Sequence, residues 1–361
     1  MGTIFLFVAM LAILILVHEF GHFITAKRAR AKVEEFGVGF PPRVFGIKKG
    51  ETIYSINLLP IGGFVKIFGE DGEGKKNKHS FAAKSVRVRA TIIAAGVVMN
   101  ILLAVILLSF GHMIGLPQII DGENSNANVK NITIRIAEVA KNSPAEEAGI
   151  KTGDVVYAMS SDIADITHIR DIADIQNFTE RHLGEEITLS LKRGDETIVK
   201  KVAPRIKSPK GEGPIGIAMV KIGQVSYPFY IAPFKGVAST AEIAWNTVKA
   251  FGTIVYDWFR TGKLTEDLAG PIGIAVITGE VQKMGSIFLL QFIALISINL
   301  AIMNILPIPA LDGGRLLFLA IERIKGSPVK QKYEKMAHTI GFAVLIFLMI
   351  LVTFRDIGKF L

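Results

Sequence analysis

Four long apolar segments limit what this chain of 361 residues can fold into. They cover about residues 3–26, 91–116, 287–307 and 338–355, and each is close to the roughly 20 residues that a helix needs to cross a bilayer. Because backbone groups in lipid must be satisfied within the protein, such segments fold as transmembrane helices. Half of all residues are hydrophobic, which argues against a soluble enzyme. We therefore predict a polytopic α-helical membrane protein.

The first apolar segment ends in the motif His-Glu-x-x-His, at His18, Glu19 and His22. On a helix the two histidines lie on one face, so both can bind one metal ion. Glu19 is then placed to take a proton from the water that the metal activates. Ionisable groups in an apolar helix are costly and are candidates for function. The alternative is a helix end that emerges into water, where these side chains have no shared role.

The distribution of charge predicts the orientation in the membrane. Residues 27–90 contain 14 Lys and Arg against 6 Asp and Glu, whereas residues 117–286 contain 19 against 21. This excess of basic residues in one loop is typical of the cytoplasmic side, so the net charge of +9 does not indicate a nucleic-acid partner. We expect 27–90 and 308–337 in the cytoplasm, with 117–286 and both termini outside. Residues 1–26 lack a charged n-region and are interpreted as a retained span, not a signal peptide.

The spans divide the chain into four predicted regions. Residues 1–116 and 287–361 form the two halves of a membrane core, and residues 117–232 form an extracytoplasmic region after a polar linker at 117–131. A small α+β module is expected at about 132–205. Its predicted elements are a capped helix at 142–149, strands near 155–158, 187–191 and 197–202, and a turn at 193–196. The chain contains no cysteine, so it has neither disulfides nor thiolate metal ligands.

Residues 233–286 are predicted to contain an amphipathic helix at 233–262, followed by a linker. Its apolar face includes Trp245 and Trp258, and tryptophan is enriched at the interface between membrane and water. A helix that packs on the α+β module would show the same pattern. The sequence leaves both alternatives open.

The stretch at 52–68 is unusually apolar for a cytoplasmic loop. Two β-rich runs flank Pro60 and the pair Gly62 and Gly63, which predicts a β-hairpin. One interpretation is a small soluble β-subdomain. We favour a membrane-associated hairpin near the active site that offers a free edge to an extended peptide, with Val65 and Ile67 as candidate edge residues.

Asp312 is the candidate for a third metal ligand. Spans one and three both run from outside to inside, so His18, His22 and Asp312 lie at similar depth near the inner face. Two histidines, one carboxylate and a water would complete a catalytic zinc site. The alternative role for Asp312 is a turn residue before Gly313 and Gly314.

Together these motifs resemble the site-2 protease family of intramembrane zinc metalloproteases, and more closely its bacterial regulator-of-sigma-E protease branch. The resemblance covers essentially the whole chain. It rests on HEFGH, the 52–68 stretch, AGVVMN ending at Asn100, NSPAEEAGIKTGD, LAGPIGIA at 268–275 and NxxPxPxLDGG at 304–314. Some members of the family carry two tandem PDZ modules, whereas residues 117–232 have room for one.

The resemblance implies a Zn²⁺ enzyme of the bacterial inner membrane with an extracytoplasmic PDZ-like domain that binds a peptide or protein. It implies cleavage of single-span membrane proteins, notably anti-sigma factors already shortened by another protease, and of signal-peptide remnants. It also implies a substrate cleft shaped by Asn299, Asn304, Pro307 and Pro309. Two other classes compete with this interpretation. A scaffold without activity would not need an intact metal motif, and a zinc transporter would need polar groups along the spans, which offer few beyond Asn100 and His112.

Overall fold

A computed structural model describes residues 2–120, 128–161, 165–166, 169, 171–194, 196–262 and 269–360. The chain forms two compact units, one of Met1–Phe110 with Pro233–Leu361 and the other of Gly111–Ala232. Part of the predicted linker at 117–131, Asp195 of the predicted turn and Leu268 of the LAGPIGIA stretch lie outside the described residues.

In chain order the described helices are α1 (Gly2–Arg28), α2 (Val86–Ile114), α3 (Pro144–Glu147), α4 (Ile172–Arg181), α5 (Ala232–Thr261), α6 (Pro271–Met284), α7 (Ser286–Ile305), α8 (Asp312–Lys325) and α9 (Gln331–Phe360). The described strands are β1 (Val33–Lys49), β2 (Thr52–Ile67), β3 (Leu116–Ile119), β4 (Asn128–Val139), β5 (Val155–Ser160), β6 (Asp165–Ile166), β7 (Ile187–Arg193), β8 (Glu196–Val202) and β9 (Ile217–Ser226).

Helices α1, α2, α7 and α9 correspond to the four predicted spans. Among the described residues, these are the helices long and apolar enough to cross a membrane. Helix α5 corresponds to the predicted amphipathic helix. Many of its large apolar side chains are exposed, among them Phe234, Trp245, Tyr256 and Phe259.

Two helices correct the predicted regions. Helix α6 occupies most of the expected linker before span three, and α8 occupies part of the expected 308–337 loop. Local signals support both, since Pro271 takes the first turn of α6, and Gly326 ends α8 in the left-handed conformation with a φ of 74°. Both helices are short, at 14 residues each, and therefore fall below the roughly 20 residues that a helix needs to cross a bilayer.

The β-hairpin has a different turn from the predicted one. Strands β1 and β2 pair antiparallel around residues 50–51, with Lys49 opposite Thr52 and Val33 opposite Ile67. The predicted hairpin within 52–68 is therefore wrong, because its two runs do not pair with each other: 53–56 and 63–66 both pair with 35–38. Gly50 supplies the positive φ of the turn at 65°, inside a polar segment, and that signal outweighs the one around Pro60.

The two long strands bend, so that their segments form a small sheet. Residues 35–38 lie antiparallel to 63–66 on one side and run in parallel register with 53–56 on the other. Residues 45–49 pair with 52–56 beyond that. Within the described residues, the segment 63–67 therefore has a strand partner on one side only and forms an edge of the sheet.

The second unit is an α+β domain. Its described strands form one sheet in the order β3-β9-β4-β5-β7-β8, with β6 paired to β5. The predicted alternation at 187–191 is confirmed, because Ile187, Leu189 and Leu191 are fully buried. The predicted cap is also present, with the Glu146 N–H donating to Ser143 Oγ at 3.2 Å. The unit extends beyond the predicted 132–205, since β3, the start of β4 and β9 complete the sheet.

A buried ion pair connects the turn before β5 to the end of β7. Asp154 is 1% exposed, and its two carboxylate oxygens each accept a hydrogen bond of 2.7 Å from the Arg193 guanidinium. Burial alone would raise the pKa of Asp154, but these bonds and one from the Lys151 N–H hold the pKa below its ordinary value of 3.8. The carboxylate therefore stabilises the unit at pH values above 3.8, and this contribution is lost as the pH falls towards the lower folded pKa.

We predict that Asp154→Asn lowers the free energy of unfolding of this unit by about 2 kcal/mol at neutral pH, because charge-assisted hydrogen bonds are lost in a buried site. Hydrogen exchange of the β5 and β7 amides in the full-length protein measures the effect. The exposed Glu185 is the control, and Glu185→Gln should leave exchange unchanged. The difference between native protein and Asp154→Asn should shrink in acid. Equal protection in both at neutral pH would contradict the prediction.

Candidate metal centre

Three predicted ligands converge in the first unit. The Nε2 atoms of His18 and His22 lie 3.1 Å apart, and Asp312 Oδ2 lies 3.0 Å from the first and 3.2 Å from the second. In a tetrahedral zinc site with bonds of about 2.0–2.1 Å, ligand atoms are separated by roughly 3.3 Å. The three side chains therefore fit a zinc ion with little movement and leave a fourth position for water or substrate.

Glycines bring the third ligand to this point. Asp312 occupies the first turn of α8, after a short connection that follows the end of α7 at Ile305. A Cβ atom on Gly313 would lie 2.1 Å from the Leu306 carbonyl oxygen and 2.3 Å from that of Ile305, so only glycine allows the two helices to meet this closely. Burial would raise the pKa of Asp312, but hydrogen bonds with His18 and His22 hold it well below its ordinary value. The carboxylate is ionised, as a metal ligand must be.

Glu19 lies between the cluster and the edge of the small sheet. Its Oε2 accepts a hydrogen bond from the Val65 N–H at 3.1 Å, which shows that this N–H points away from β1. A Cβ on Gly63 would lie 3.9 Å from Glu19 Cγ and 3.6 Å from Leu16. The predicted base, the predicted ligands and the predicted edge residue are thus adjacent.

Helix α2 closes the other side of the cluster. The His22 Nδ1 is hydrogen-bonded to the Ile92 carbonyl at 2.9 Å, which fixes the ring and directs Nε2 towards Asp312. A Cβ on Gly96 would lie 2.5 Å from His22 Nε2 and 2.7 Å from the His18 ring. Gly96 therefore leaves the space that both rings occupy. The sequence contained a signal for this role of Gly96. A glycine inside a helix costs about 1 kcal/mol relative to alanine, so its presence there indicates a packing or functional reason.

The other predicted site residues lie around this centre but do not join it. Asn299 Oδ1 accepts a hydrogen bond of 3.2 Å from Thr247 of α5, and Asn304 is half-buried in the last turn of α7. Pro307 is exposed, whereas the Pro309 backbone packs against Gly341 of α9. Gly62 has a φ of 89° and faces Ile15, and Ile67 packs in a core with Val33. No direct contact links these residues to the three ligands among the described hydrogen bonds.

Four helices long and apolar enough to cross a membrane and a cluster of three possible metal ligands are features expected of a membrane metalloprotease, and comparison with known proteins identifies the family. The model of peptidase family M50 matches residues 6–348, so the chain belongs to this family of site-2 proteases. It is 37% identical over 347 residues to a candidate zinc metalloprotease of Clostridium perfringens, covering 95% of both chains. The chain is therefore a zinc metalloprotease, and its cofactor is Zn²⁺.

Two further relatives carry more specific names. The regulator of sigma-W protease RasP of Bacillus subtilis is 31% identical over 442 residues, covering 99% of both chains. The zinc metalloprotease RasP of Bacillus licheniformis is 33% identical over 444 residues, again covering 99% of both. These alignments are longer than the 361 residues of this chain, so each RasP contains segments that have no counterpart here.

We predict that Gly96→Ala reduces proteolysis by about 100-fold, because the added methyl group displaces both imidazoles from the shared position. Zinc content per chain should fall in parallel with activity. Gly252 of α5 is the matched control, since a Cβ there meets nothing within 4 Å. Gly252→Ala should keep zinc and activity. Native zinc content in Gly96→Ala would show that the contact is not limiting.

Proposed function

We propose that this protein is an intramembrane endopeptidase that hydrolyses peptide bonds in or near the transmembrane segments of single-span membrane proteins. The observation that carries the proposal is the hydrogen bond between the Val65 N–H and Glu19. It brings an unpaired sheet edge, which can hold an extended peptide, to the side chain that can move a proton.

The proposed metal ligands are His18, His22 and Asp312, and the proposed base is Glu19. These ligands would hold a Zn²⁺ ion, which would act as a Lewis acid on the substrate carbonyl and would lower the pKa of its water. Glu19 takes the proton from the attacking water and delivers it to the amine that leaves. Its position on α1, one residue after His18, keeps the carboxylate beside the ligand cluster without making it a ligand.

The small sheet supplies the substrate with backbone partners. A transmembrane helix hides its carbonyls in internal hydrogen bonds, so the segment to be cut must first unwind. An unwound segment inside a membrane needs replacement partners. The edge at 63–67 can supply them if the substrate is added as a further strand, with the Val65 N–H exchanging Glu19 for a substrate carbonyl. Residues Gly62, Gly63, Asn299, Asn304, Pro307 and Pro309 then shape the cleft around it.

The same sheet is suited to contact lipid or an apolar substrate. Its bent part exposes many large apolar side chains: Val38, Phe40, Val44, Phe45, Ile47, Ile56, Leu58 and Leu59. A soluble subdomain that exposed such a surface would be prone to association. The pattern supports a membrane-associated sheet on the side of the basic 27–90 loop, which we assign to the cytoplasm. The segment between spans two and three and both termini are then extracytoplasmic, in a bacterial inner membrane.

The proposed substrates are anti-sigma factors of single-span topology. Signal-peptide remnants are a second proposed substrate class, because they too are apolar helices with one end freed. The relative from Bacillus subtilis is named as a regulator of sigma-W protease, which supports a regulatory substrate. We further propose that the second unit is a PDZ-like domain for a peptide or protein ligand. Its support is the short capped helix α3, the longer helix α4 and the strand β9, whose residues 217–221 pair with β4 and lie beyond the pairing with β3.

We predict that Glu19→Gln reduces turnover by about 100-fold or more while zinc stays bound, since it removes a base and not a ligand. His22→Ala should lose both zinc and activity. Zinc content and cleavage of a reconstituted single-span substrate, measured on the same samples, separate the two roles. Near-native cleavage by Glu19→Gln would overturn the assignment of the base, and native zinc content in His22→Ala would overturn the ligand set.

We also predict that Val65→Pro lowers kcat/KM by about tenfold, because one hydrogen-bond donor at the edge is lost. Val65→Ala keeps the donor and should have a much smaller effect. Zinc content should be native in both variants. Substrates whose spans contain Gly, Pro or Asn should tolerate Val65→Pro better, since they unwind more readily. Equal effects of proline and alanine would show that Val65 contributes packing instead of strand pairing.

A further inference from the structure

The two histidines of the metal centre differ in how their outer ring nitrogens are satisfied. The His22 Nδ1 has the Ile92 carbonyl as its partner at 2.9 Å. The His18 Nδ1 is equally buried but has no hydrogen-bond partner among the described residues. A histidine that binds metal through Nε2 carries its proton on Nδ1, and that N–H almost always has an acceptor. The acceptor for His18 is therefore missing from the direct contacts.

Asn100 of α2 is a second buried polar residue whose side chain lacks a hydrogen-bond partner. Its side chain is 1% exposed, and within the described residues neither Oδ1 nor Nδ2 has a hydrogen-bond partner. An amide buried among apolar spans without a partner is destabilising, so such a group is a candidate for function. Asn100 is not among the proposed metal ligands, the proposed base or the residues proposed to shape the substrate cleft.

The helix geometry brings these two groups towards each other. Helices α1 and α2 run in opposite directions, since His22 contacts Ile92 while His18 contacts Gly96. Asn100 follows Gly96 by four residues and lies on the same face, one turn further along. Side chains on a helix lean towards its N-terminus, so Asn100 leans back towards Gly96 and His18 leans towards the level of Asn100.

A third helix holds Asn100 in this position. Ser297 of α7 is fully buried, and its Oγ donates a hydrogen bond of 2.8 Å to the Asn100 carbonyl. The backbone of Asn100 is thereby fixed between α2 and α7, while its side-chain amide stays unengaged.

We propose that Asn100 is a positioning residue for the metal centre, and that its side-chain oxygen accepts the proton of His18 Nδ1, directly or through one water. Asn100 then does for His18 what the Ile92 carbonyl does for His22. It sets the tautomer and the orientation of the ring, so that Nε2 is presented to the metal. This inference rests on the proposed ligand set.

The test is the zinc affinity of full-length variants, measured by competition with a chelator. Asn100→Leu keeps the size of the side chain but removes the acceptor, and should weaken zinc binding by about 10–100-fold. Asn100→Asp keeps an acceptor and should bind zinc much more tightly than Asn100→Leu. Ser109→Ala is the matched control, because it removes a hydroxyl of the same helix whose hydrogen bond goes to the Val105 carbonyl, and its zinc affinity should be native.

A second pair keeps the test decisive if Asn100→Leu fails to insert or fold. Asn100→Ser and Asn100→Ala have similar size, and only serine offers an acceptor, so serine should bind zinc more tightly. The absorption spectrum of the Co²⁺-substituted protein gives a further readout, because a reoriented His18 ring changes the ligand geometry.

Native zinc affinity in a folded Asn100→Leu protein would overturn the inference, and so would equal affinities within the serine and alanine pair. Loss of turnover with native zinc affinity would assign Asn100 to the substrate instead and would also overturn it. The ligand set is tested separately by Asp312→Ala. If that variant loses zinc while Asn100→Leu does not, the proposed function stands and only this inference fails.

Discussion

The close contact between α1 and α2 is the constraint on which the rest of this structure depends. Two imidazoles cannot be buried among apolar spans unless their polar atoms find partners. Gly21 and Gly96 allow the backbones to approach, since a Cβ on Gly21 would lie 2.3 Å from the Ala95 carbonyl oxygen. The approach brings the Ile92 carbonyl to His22, while the Nε2 atoms of both rings meet Asp312. Packing thus brings the three predicted ligands together.

A second consequence follows from the same crowded arrangement. Because α2 covers one side of α1 and α8 supplies Asp312, the side that remains is the one where Glu19 meets the edge of the sheet. In the proposed function, a substrate reaches the centre from that side as an extended chain beside Val65. The geometry favours peptide hydrolysis over transport, since the cluster ends at a strand edge and not in a polar path along the spans.

The sequence predicted the meeting of His18, His22 and Asp312 better than their surroundings. It could do so because the helical spacing of the two histidines and a common depth in the membrane bring three possible ligands together; their roles, and that of Glu19 as base, stay predictions. The four spans could be identified because bilayer thickness fixes their length. The position of the hairpin turn could not be predicted. Pro60 and Gly62 bend β2, whereas Gly50 reverses the chain, and the two places carry similar local turn signals. Helices α6 and α8 were missed because their length and mixed composition match neither a span nor a loop.

Residues that act through the backbone are the hardest to find in this way. The Ile92 carbonyl orients His22 whatever its side chain is, so no residue type marks it. Gly96 acts through the absence of a side chain, and only its cost inside a helix indicates a purpose. Asn100 is different, because a polar amide in an apolar span is visible in the sequence, yet its partner is not. Only the antiparallel packing of α1 and α2 places Asn100 one helical turn from Gly96, which contacts the ring of His18, a proposed metal ligand whose Nδ1 also has no partner among the described residues.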